Sequence, residues 1–461
     1  MTAAKPLTAL DRSFLTAETR DVMMHVGMML TFSPPKKGRG DLSKQLREDL
    51  ATRTMEVQRP WNLKLKHPDV LSMITQAWIE DEGFEIDYHV RRSALPSPGD
   101  ERELGILVSR LHSTPLDFHR PPWEAHVIEG LEGDRIAIYF KVHHSLIDGY
   151  TGMRMLTAGL SQDPSDLDTP WFFERPPVDK GKRRENDAPP TFDTLVQAAR
   201  DQFGVTKDVG RALMDLVRAV RKPETELIAP MQAPKSILNQ KITRSRRFAT
   251  QLMSLERVKK VATTHNATVN DVVLAISGSA LRRYLLERDA LPDKSLVAML
   301  PVNIRPKDDP GGGGNAVGAV LASLATDYSD DEERLVRIVA STKKAKEQLQ
   351  TMSKNAILQY SMLVMTPLML SLVPAAVSKV RPAFNVVISN VPGPEMPLYL
   401  RGWKLEATYP LSIPFHGYGL NITVQSYAGT LGFGFIGCRD TVPQLQRLAV
   451  YSGEVLDTLE S

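Results

Sequence analysis

The residues that could carry out chemistry are concentrated in one stretch, Lys141-Val-His-His-Ser-Leu-Ile-Asp-Gly149. A buried strand predicted over residues 135–142 leads directly into His143 and His144. Because adjacent side chains of an extended chain point to opposite faces, the two histidines are not expected to share one site or one metal ion. Zinc-binding histidines on a helix are expected four residues apart, and no cysteine lies nearby. The stretch therefore predicts no metal site.

A histidine at a strand end suits general base catalysis, because its pKa lies near the working pH and the strand fixes its direction. Asp148 follows beyond a turn and is expected either to orient the base or to brace the loop. A single histidine is more often a packed structural residue, but His-His-x-x-x-Asp-Gly after an apolar strand is far more specific. His143, His144, Asp148 and Gly149 are therefore the first candidates for a catalytic site.

Helical and strand patterns alternate around this stretch, which predicts an α/β fold. Helices are predicted over residues 43–55, 100–112, 193–221, 254–265, 270–286 and 331–353. Further strands are predicted over residues 295–304, 317–325, 384–390, 420–426 and 430–437.

Residues 162–192 are rich in proline and charge, which is the composition of a linker. They divide the chain into an N-terminal half, residues 1–161, which carries the histidines, and a C-terminal half, residues 193–461. The basic run at 180–184 is most simply a solvated part of this linker.

The composition, with 42% hydrophobic and 24% charged residues, is that of a globular protein with a substantial core. A net charge of +3 is too small to indicate nucleic acid as a partner. The single cysteine, Cys438, excludes an internal disulfide, and the N-terminal residues lack the apolar stretch of a secretory signal. These features favour the cytoplasm.

One segment, residues 355–378, carries no charge and is long enough to cross a membrane. Pro367 and Pro374 interrupt it, and several polar residues dilute it. We expect a buried or interfacial helical segment there rather than a membrane span.

His-His-Ser-Leu-Ile-Asp-Gly matches the signature of the coenzyme A-dependent acyltransferase superfamily, which includes chloramphenicol acetyltransferase and peptide-synthetase condensation domains. Other segments resemble the bacterial wax ester synthase/diacylglycerol acyltransferase family in particular. They are residues 7–27, 115–131, 267–275 with its Asn-Asp pair, 385–412 with Ser-Asn-Val-Pro-Gly-Pro, and 420–440. Pro122 departs from the family, which commonly has leucine before the tryptophan, and only local packing should differ.

The resemblance implies two chloramphenicol-acetyltransferase-like halves with the active site between them. It implies transfer of a long-chain acyl group from acyl-CoA, a substrate rather than a bound cofactor, to a fatty alcohol or diacylglycerol. His144 would be the general base, and Asp148 would hold the loop through an arginine, for which Arg305 is the candidate. Asn270 would either stabilise the oxyanion or cap its helix.

The same resemblance implies peripheral association with a membrane or lipid inclusion, since the acceptors are insoluble in water. Two other functions fit the motif less well. One is condensation with a carrier-protein thioester as donor, and the other is a non-catalytic coat on lipid droplets. The lipid-family segments disfavour the first, and the intact histidine motif disfavours the second.

Overall fold

The computed structural model describes residues 5–35, 41–52, 56–73, 75–147, 149–174, 232–303, 317–351 and 381–461. Several residues singled out from the sequence lie outside these ranges. They are Asp148, Arg305, the apolar segment 355–378, the helix predicted over 193–221, and the linker beyond Glu174.

The first of two six-stranded sheets has the order β12-β13-β2-β7-β6-β5. Its strands are β2 (His25–Ser33), β5 (Val90–Ala94), β6 (Trp123–Glu129), β7 (Ile136–His143), β12 (Tyr399–Leu400) and β13 (Trp403–Leu411). β7 lies near the centre and pairs antiparallel with β2 on one side and β6 on the other.

The second sheet has the order β10-β9-β11-β14-β15-β8. Its strands are β8 (Arg246–Ser254), β9 (Val297–Asn303), β10 (Val317–Ser323), β11 (Val386–Val391), β14 (Leu420–Tyr427) and β15 (Thr430–Cys438). A small third sheet joins β1 (Lys5–Pro6), β4 (Ala77–Glu80) and β3 (Leu63–Leu65).

Helices cover the sheets, as the alternating sequence pattern predicts. They are α1 (Ala9–Ala17), α2 (Leu42–Thr52), α3 (Ile86–His89), α4 (Glu101–His112), α5 (Gly149–Ala158), α6 (Leu255–Thr264), α7 (Val269–Leu286), α8 (Asp331–Thr351) and α9 (Gln446–Glu460). The mixed α/β fold and the predicted elements that fall in the described ranges are confirmed, with ends that differ by at most three residues.

The strand that carries the histidine motif is buried on both faces, because all eight residues of β7 are buried. Ile138 and Phe140 belong to one apolar cluster, whereas Ala137 and Tyr139 belong to another on the opposite face. A strand covered on both sides reads as a continuous apolar run, which is why the sequence predicted it.

The two large sheets meet where β13 of the first passes β15 of the second. A Cβ atom at Gly432 would lie 2.1 Å from the carbonyl oxygen of Thr408, and one at Gly434 would lie 2.0 Å from that of Pro410. Only glycine allows backbone to approach backbone this closely. β12 and β13 therefore tie the second half of the chain to the first sheet.

Within the predicted linker, residues 169–174 are packed, whereas most of residues 162–168 are exposed. Trp171 is 3% exposed and Phe173 is fully buried. Arg401, at the β12–β13 turn, lies over the Trp171 ring and donates a hydrogen bond to the carbonyl of Thr169. Proline and charge dominate the composition of this segment, but its aromatic side chains bury enough apolar surface to fix residues up to Glu174.

In the part of the chain that the structure describes, none of the helices combines the length and apolar character needed to cross a membrane.

Candidate active site

The backbone of the two histidines is held by neighbouring segments. His143 ends β7 opposite His25 of β2, and its N–H donates to the carbonyl of Pro122 at 2.9 Å. The N–H of His144 donates to the carbonyl of Met24 at 2.8 Å, at the start of β2. The position of His144 therefore depends on the loop that precedes β2.

The ring of His143 is 1% exposed and packed on all sides. Its Nδ1 accepts the N–H of Ser145 at 3.2 Å and lies 2.6 Å from the Ser145 hydroxyl. A nitrogen that accepts an N–H carries no proton, which leaves Nε2 as the protonated ring nitrogen. Glu18 Oε2 lies 3.5 Å from that Nε2, and the Phe118 ring packs edge-on at 5.1 Å.

The ring of His144 has different surroundings. It is only partly buried, and it stacks on the ring of Phe14 with the centroids 4.1 Å apart and an interplanar angle of 25°. The two rings therefore have separate sets of neighbours. His144 is the more accessible of the two.

α1 brings both contacts to the histidines. Phe14 and Glu18 are one turn apart, since the N–H of Glu18 donates to the carbonyl of Phe14 at 3.0 Å. Thr8 and Asp11 form a capping box that fixes the start of the helix. Neither residue was predicted from the sequence, because no local pattern indicates a contact with histidines so far along the chain.

A layer of buried polar groups lies on the His143 side of β7. Lys141 is fully buried, and its Nζ lies 3.2 Å from Glu124 and donates to the carbonyls of Leu111 and Thr114. Burial alone would raise the pKa of Glu124, but the hydrogen bond with His126 and the Lys141 charge lower that pKa to about 2. A charge buried this deeply must be paired, and this pair is also hydrogen-bonded.

Two further histidines of this layer are neutral at physiological pH. Burial holds the pKa of His25 and of His112 well below the usual value. His25 Nε2 lies 3.0 Å from the carbonyl of His112, and His112 Nδ1 lies 2.7 Å from the Tyr139 hydroxyl. His25 and His416 are 2% and 4% exposed, so both are packed in the interior.

Asn270 is the second residue of α7, and it does not cap the helix. Thr268 is the N-cap, and it forms a capping box with Asp271. The capping alternative for Asn270 is therefore wrong, and the signal that would have corrected it is the Thr-x-x-Asp spacing before an apolar run. Among the described residues, no hydrogen bond joins Asn270 to either histidine.

Gly149 begins α5 and is exposed. A Cβ atom there would meet no atom of a described residue within 4 Å. Trp123, the first residue of β6, is fully buried and donates its indole N–H to the carbonyl of Trp61 at 2.7 Å. Within the described ranges, no group of three or more metal-ligating side chains occurs.

A small apolar cavity of about 30 Å³ lies between the far end of α5 and the first sheet. It is too small to hold an acyl chain. The side chains that line it include Leu30, Val127, Ile138, Leu156 and Phe172.

Comparisons with known proteins agree along the chain. Residues 7–273 match the catalytic domain of the wax ester synthase/diacylglycerol acyltransferase family, and residues 313–460 match the C-terminal domain of that family. The boundary between these two matches falls later in the chain than the linker at 162–192.

Individual relatives match over nearly their whole length. A Mycobacterium tuberculosis protein provisionally named a diacylglycerol O-acyltransferase is 49% identical, over 99% of this chain and 97% of its own length. An O-acyltransferase of Acinetobacter baylyi is 38% identical, with the same coverage of 99% and 97%.

Solved structures give the same result. The wax ester synthase/diacylglycerol acyltransferase of Marinobacter aquaeolei is 39% identical, with a TM-score of 0.79 over 99% of this chain and 98% of its own. The first condensation domain of the CDA synthetase has a TM-score of 0.56 at 15% identity, over 100% of this chain and 96% of its own. The second likeness concerns the fold alone, and it agrees with the two-part fold expected from the sequence.

Proposed function

The chain belongs to the wax ester synthase/diacylglycerol acyltransferase family, and we propose that it transfers a long-chain fatty acyl group from acyl-CoA to an alcohol. The acceptor is a fatty alcohol, diacylglycerol or both, and the product is a wax ester or a triacylglycerol. The observation that carries the proposal is the intact His-His-Ser-Leu-Ile-Asp-Gly sequence at the end of the buried strand β7, inside the segment matched by the family's catalytic domain.

His144 is the general base in this proposal. It takes the proton of the acceptor hydroxyl as that oxygen attacks the carbonyl carbon of the thioester. The carbon–sulfur bond of the tetrahedral adduct then breaks, and the departing thiolate takes up the proton that His144 holds. A positioned base contributes about 10²–10⁴-fold to the rate. The partial exposure of His144 supports this role, because a base must be reached by its substrate.

The other candidate residues assist without forming a bond to the acyl group. His143 packs behind the base and fixes the turn that carries it. Asn270 donates its amide to the oxyanion, since a neutral donor stabilises negative charge without titrating. Asp148 holds the loop, with Arg305 as its partner, and Gly149 leaves room for the substrate. The site lies between the halves 1–161 and 193–461, which the segment 162–192 connects.

Acyl transfer by the purified full chain tests the proposal directly. Palmitoyl-CoA is supplied with either hexadecanol or dipalmitoylglycerol, and ester product and free thiol are measured together. We expect ester and thiol to form in equal amounts, and we expect the formation of both to require the acceptor. Thiol release without ester, or activity only with a carrier-protein thioester, would refute acyl-CoA:alcohol transfer.

We also propose that the protein associates peripherally with a membrane or a lipid inclusion on the cytoplasmic side. The support is the low solubility of its acceptors in water. Alkaline carbonate should release most of the protein from sedimented membranes. Release by detergent alone would contradict peripheral association and would indicate that residues 355–378 cross the bilayer.

A further inference from the structure

Glu18, at the end of α1, joins the loop before β2 to the histidine motif. Its side chain is 9% exposed, and its Oε2 accepts the N–H of Met24. The carbonyl of the same residue, Met24, accepts the N–H of His144 at 2.8 Å. One carboxylate therefore fixes the peptide group to which the His144 backbone is bonded.

The same oxygen of Glu18 faces the other histidine. It lies 3.5 Å from Nε2 of His143, which is buried and makes no shorter hydrogen bond to a described residue. Because Ser145 donates to Nδ1, the His143 proton is on Nε2 and points toward a negative charge. The contact is longer than an ordinary hydrogen bond, but the charge still favours this tautomer and ring orientation.

The loop from Glu18 to Met24 is also held from the second half of the chain. Arg246, the first residue of β8, is 3% exposed and donates to the carbonyl of Asp21 at 2.7 Å. Its positive charge lies near the carboxylates of Glu18 and Asp21. Glu18 is thus placed in a fixed loop and is not a mobile surface acid.

We infer that Glu18 is a positioning residue for His144, an inference that rests on the proposed function. It acts through two contacts, the Met24 peptide that holds the His144 backbone and the His143 ring that fixes the turn. It does not touch substrate and accepts no proton in the reaction. Its removal lets the base shift, and misplacement of a catalytic group by about 1 Å can cost ~10²-fold in rate.

Two substitutions separate the contacts. Glu18→Gln keeps an oxygen that can accept from Met24 but removes the charge that faces His143, and Glu18→Ala removes both. We expect kcat to fall about 10- to 100-fold for Glu18→Ala and less for Glu18→Gln. KM for palmitoyl-CoA should stay within about twofold, because Glu18 makes no contact with the donor. Glu48→Gln, an exposed acid of α2, is the matched control and should keep wild-type kcat.

Activity is expressed per folded molecule, measured by thermal unfolding of each variant. A Glu18→Ala protein whose kcat per folded molecule equals that of wild type would overturn the inference. A rise in KM by the same factor as the fall in kcat would also overturn it.

Histidine-selective ¹⁵N NMR, with the His143 signal identified from His143→Gln, gives a readout independent of turnover. The proton is expected on Nε2 in wild type, and loss of that preference is expected in Glu18→Ala. An inactive wild type would refute the proposed function, whereas an unchanged tautomer would refute the role of Glu18.

Discussion

The ring of Phe14 lies stacked on the ring of His144, with 4.1 Å between their centroids. The stack fixes the plane of the imidazole, while the hydrogen bond to Met24 fixes its backbone. A base held at both ends loses little orientational freedom when the substrate arrives, which is a condition for efficient proton transfer.

Removal of the Phe14 ring should slow acyl transfer without weakening substrate binding. Phe14→Leu keeps an apolar side chain but loses the stack, and such a ring pair contributes about 0.5–1.5 kcal/mol. We expect kcat to fall about 2- to 10-fold with KM unchanged, in steady-state thiol release. Phe84 supplies the control, because it lies away from the motif and stacks on His89 with 4.8 Å between the ring centroids. A Phe84→Leu protein with the same loss would show that the effect is not specific to His144.

The two histidines should differ in how their replacement affects the reaction. His144→Ala is expected to lower turnover about 10²–10⁴-fold while acyl-CoA still binds, because the base acts on the alcohol proton and not on the donor. His144→Gln should be equally impaired, since glutamine cannot accept a proton. His143→Ala should lose stability and part of its activity. Near-normal turnover in His144→Ala, together with a folded but inactive His143→Ala, would reverse the assignment.

Asn270 and Thr268 provide a matched pair at the start of α7. Thr268→Ala removes the observed cap and should cost about 1 kcal/mol of stability with little change in kcat. Asn270→Ala should leave stability nearly unchanged but lower kcat about 10²–10³-fold, if the amide stabilises the oxyanion. Urea unfolding and steady-state kinetics on both variants make the comparison. Wild-type kcat in Asn270→Ala would exclude that role.

The sequence was sufficient for the strand and the motif but not for the contacts that hold the motif. β7 was predictable because both faces are apolar, and the histidines were recognisable from their spacing. Phe14 and Glu18 act across the fold, on residues far away in the sequence, and no local pattern reports such a contact. β13 was missed although its apolar residues alternate with Lys404, Glu406 and Thr408, a pattern typical of a half-buried strand. No local pattern indicates that it joins a sheet built mainly from the other half.

Stability should fall as the pH falls below about 6.5, because buried histidines are neutral in the folded chain. Burial lowers the pKa of His89 to about 4, so below pH 6.5 the unfolded chain binds a proton that the folded chain does not. This difference removes about 2 kcal/mol of unfolding free energy between pH 7 and pH 5. The carboxyl of Glu124 begins to contribute in the same direction only below about pH 4.5.

The contribution of His89 can be isolated with His89→Phe. Between pH 7 and pH 5, the unfolding free energy of this variant should fall by about 2 kcal/mol less than that of wild type, whatever its absolute stability at pH 7. Urea titrations at several pH values measure the slope. His119→Gln, which changes a histidine that is 61% exposed, should retain the wild-type slope. An unchanged slope in His89→Phe would show that His89 is not neutral in the fold.

The contact between the two large sheets should not tolerate a side chain at Gly434. A Cβ atom there would lie 2.0 Å from the carbonyl oxygen and 3.1 Å from the carbonyl carbon of Pro410, and backbone atoms cannot rotate away as a flexible side chain can. Gly434→Ala must therefore push β15 away from β13. Overpacking of a buried contact costs about 1–3 kcal/mol, and two clashing backbones place this variant at the upper end or beyond. Because β13 pairs with β2, which begins beside the Met24 carbonyl that holds His144, acyl transfer per folded molecule should fall as well.

Gly83→Ala is the control for Gly434→Ala, since the nearest atom to its Cβ would be the Asp81 carboxylate at 3.8 Å. Thermal unfolding and thiol release on both variants test the prediction, and a Gly434→Ala protein as stable and as active as Gly83→Ala would contradict it.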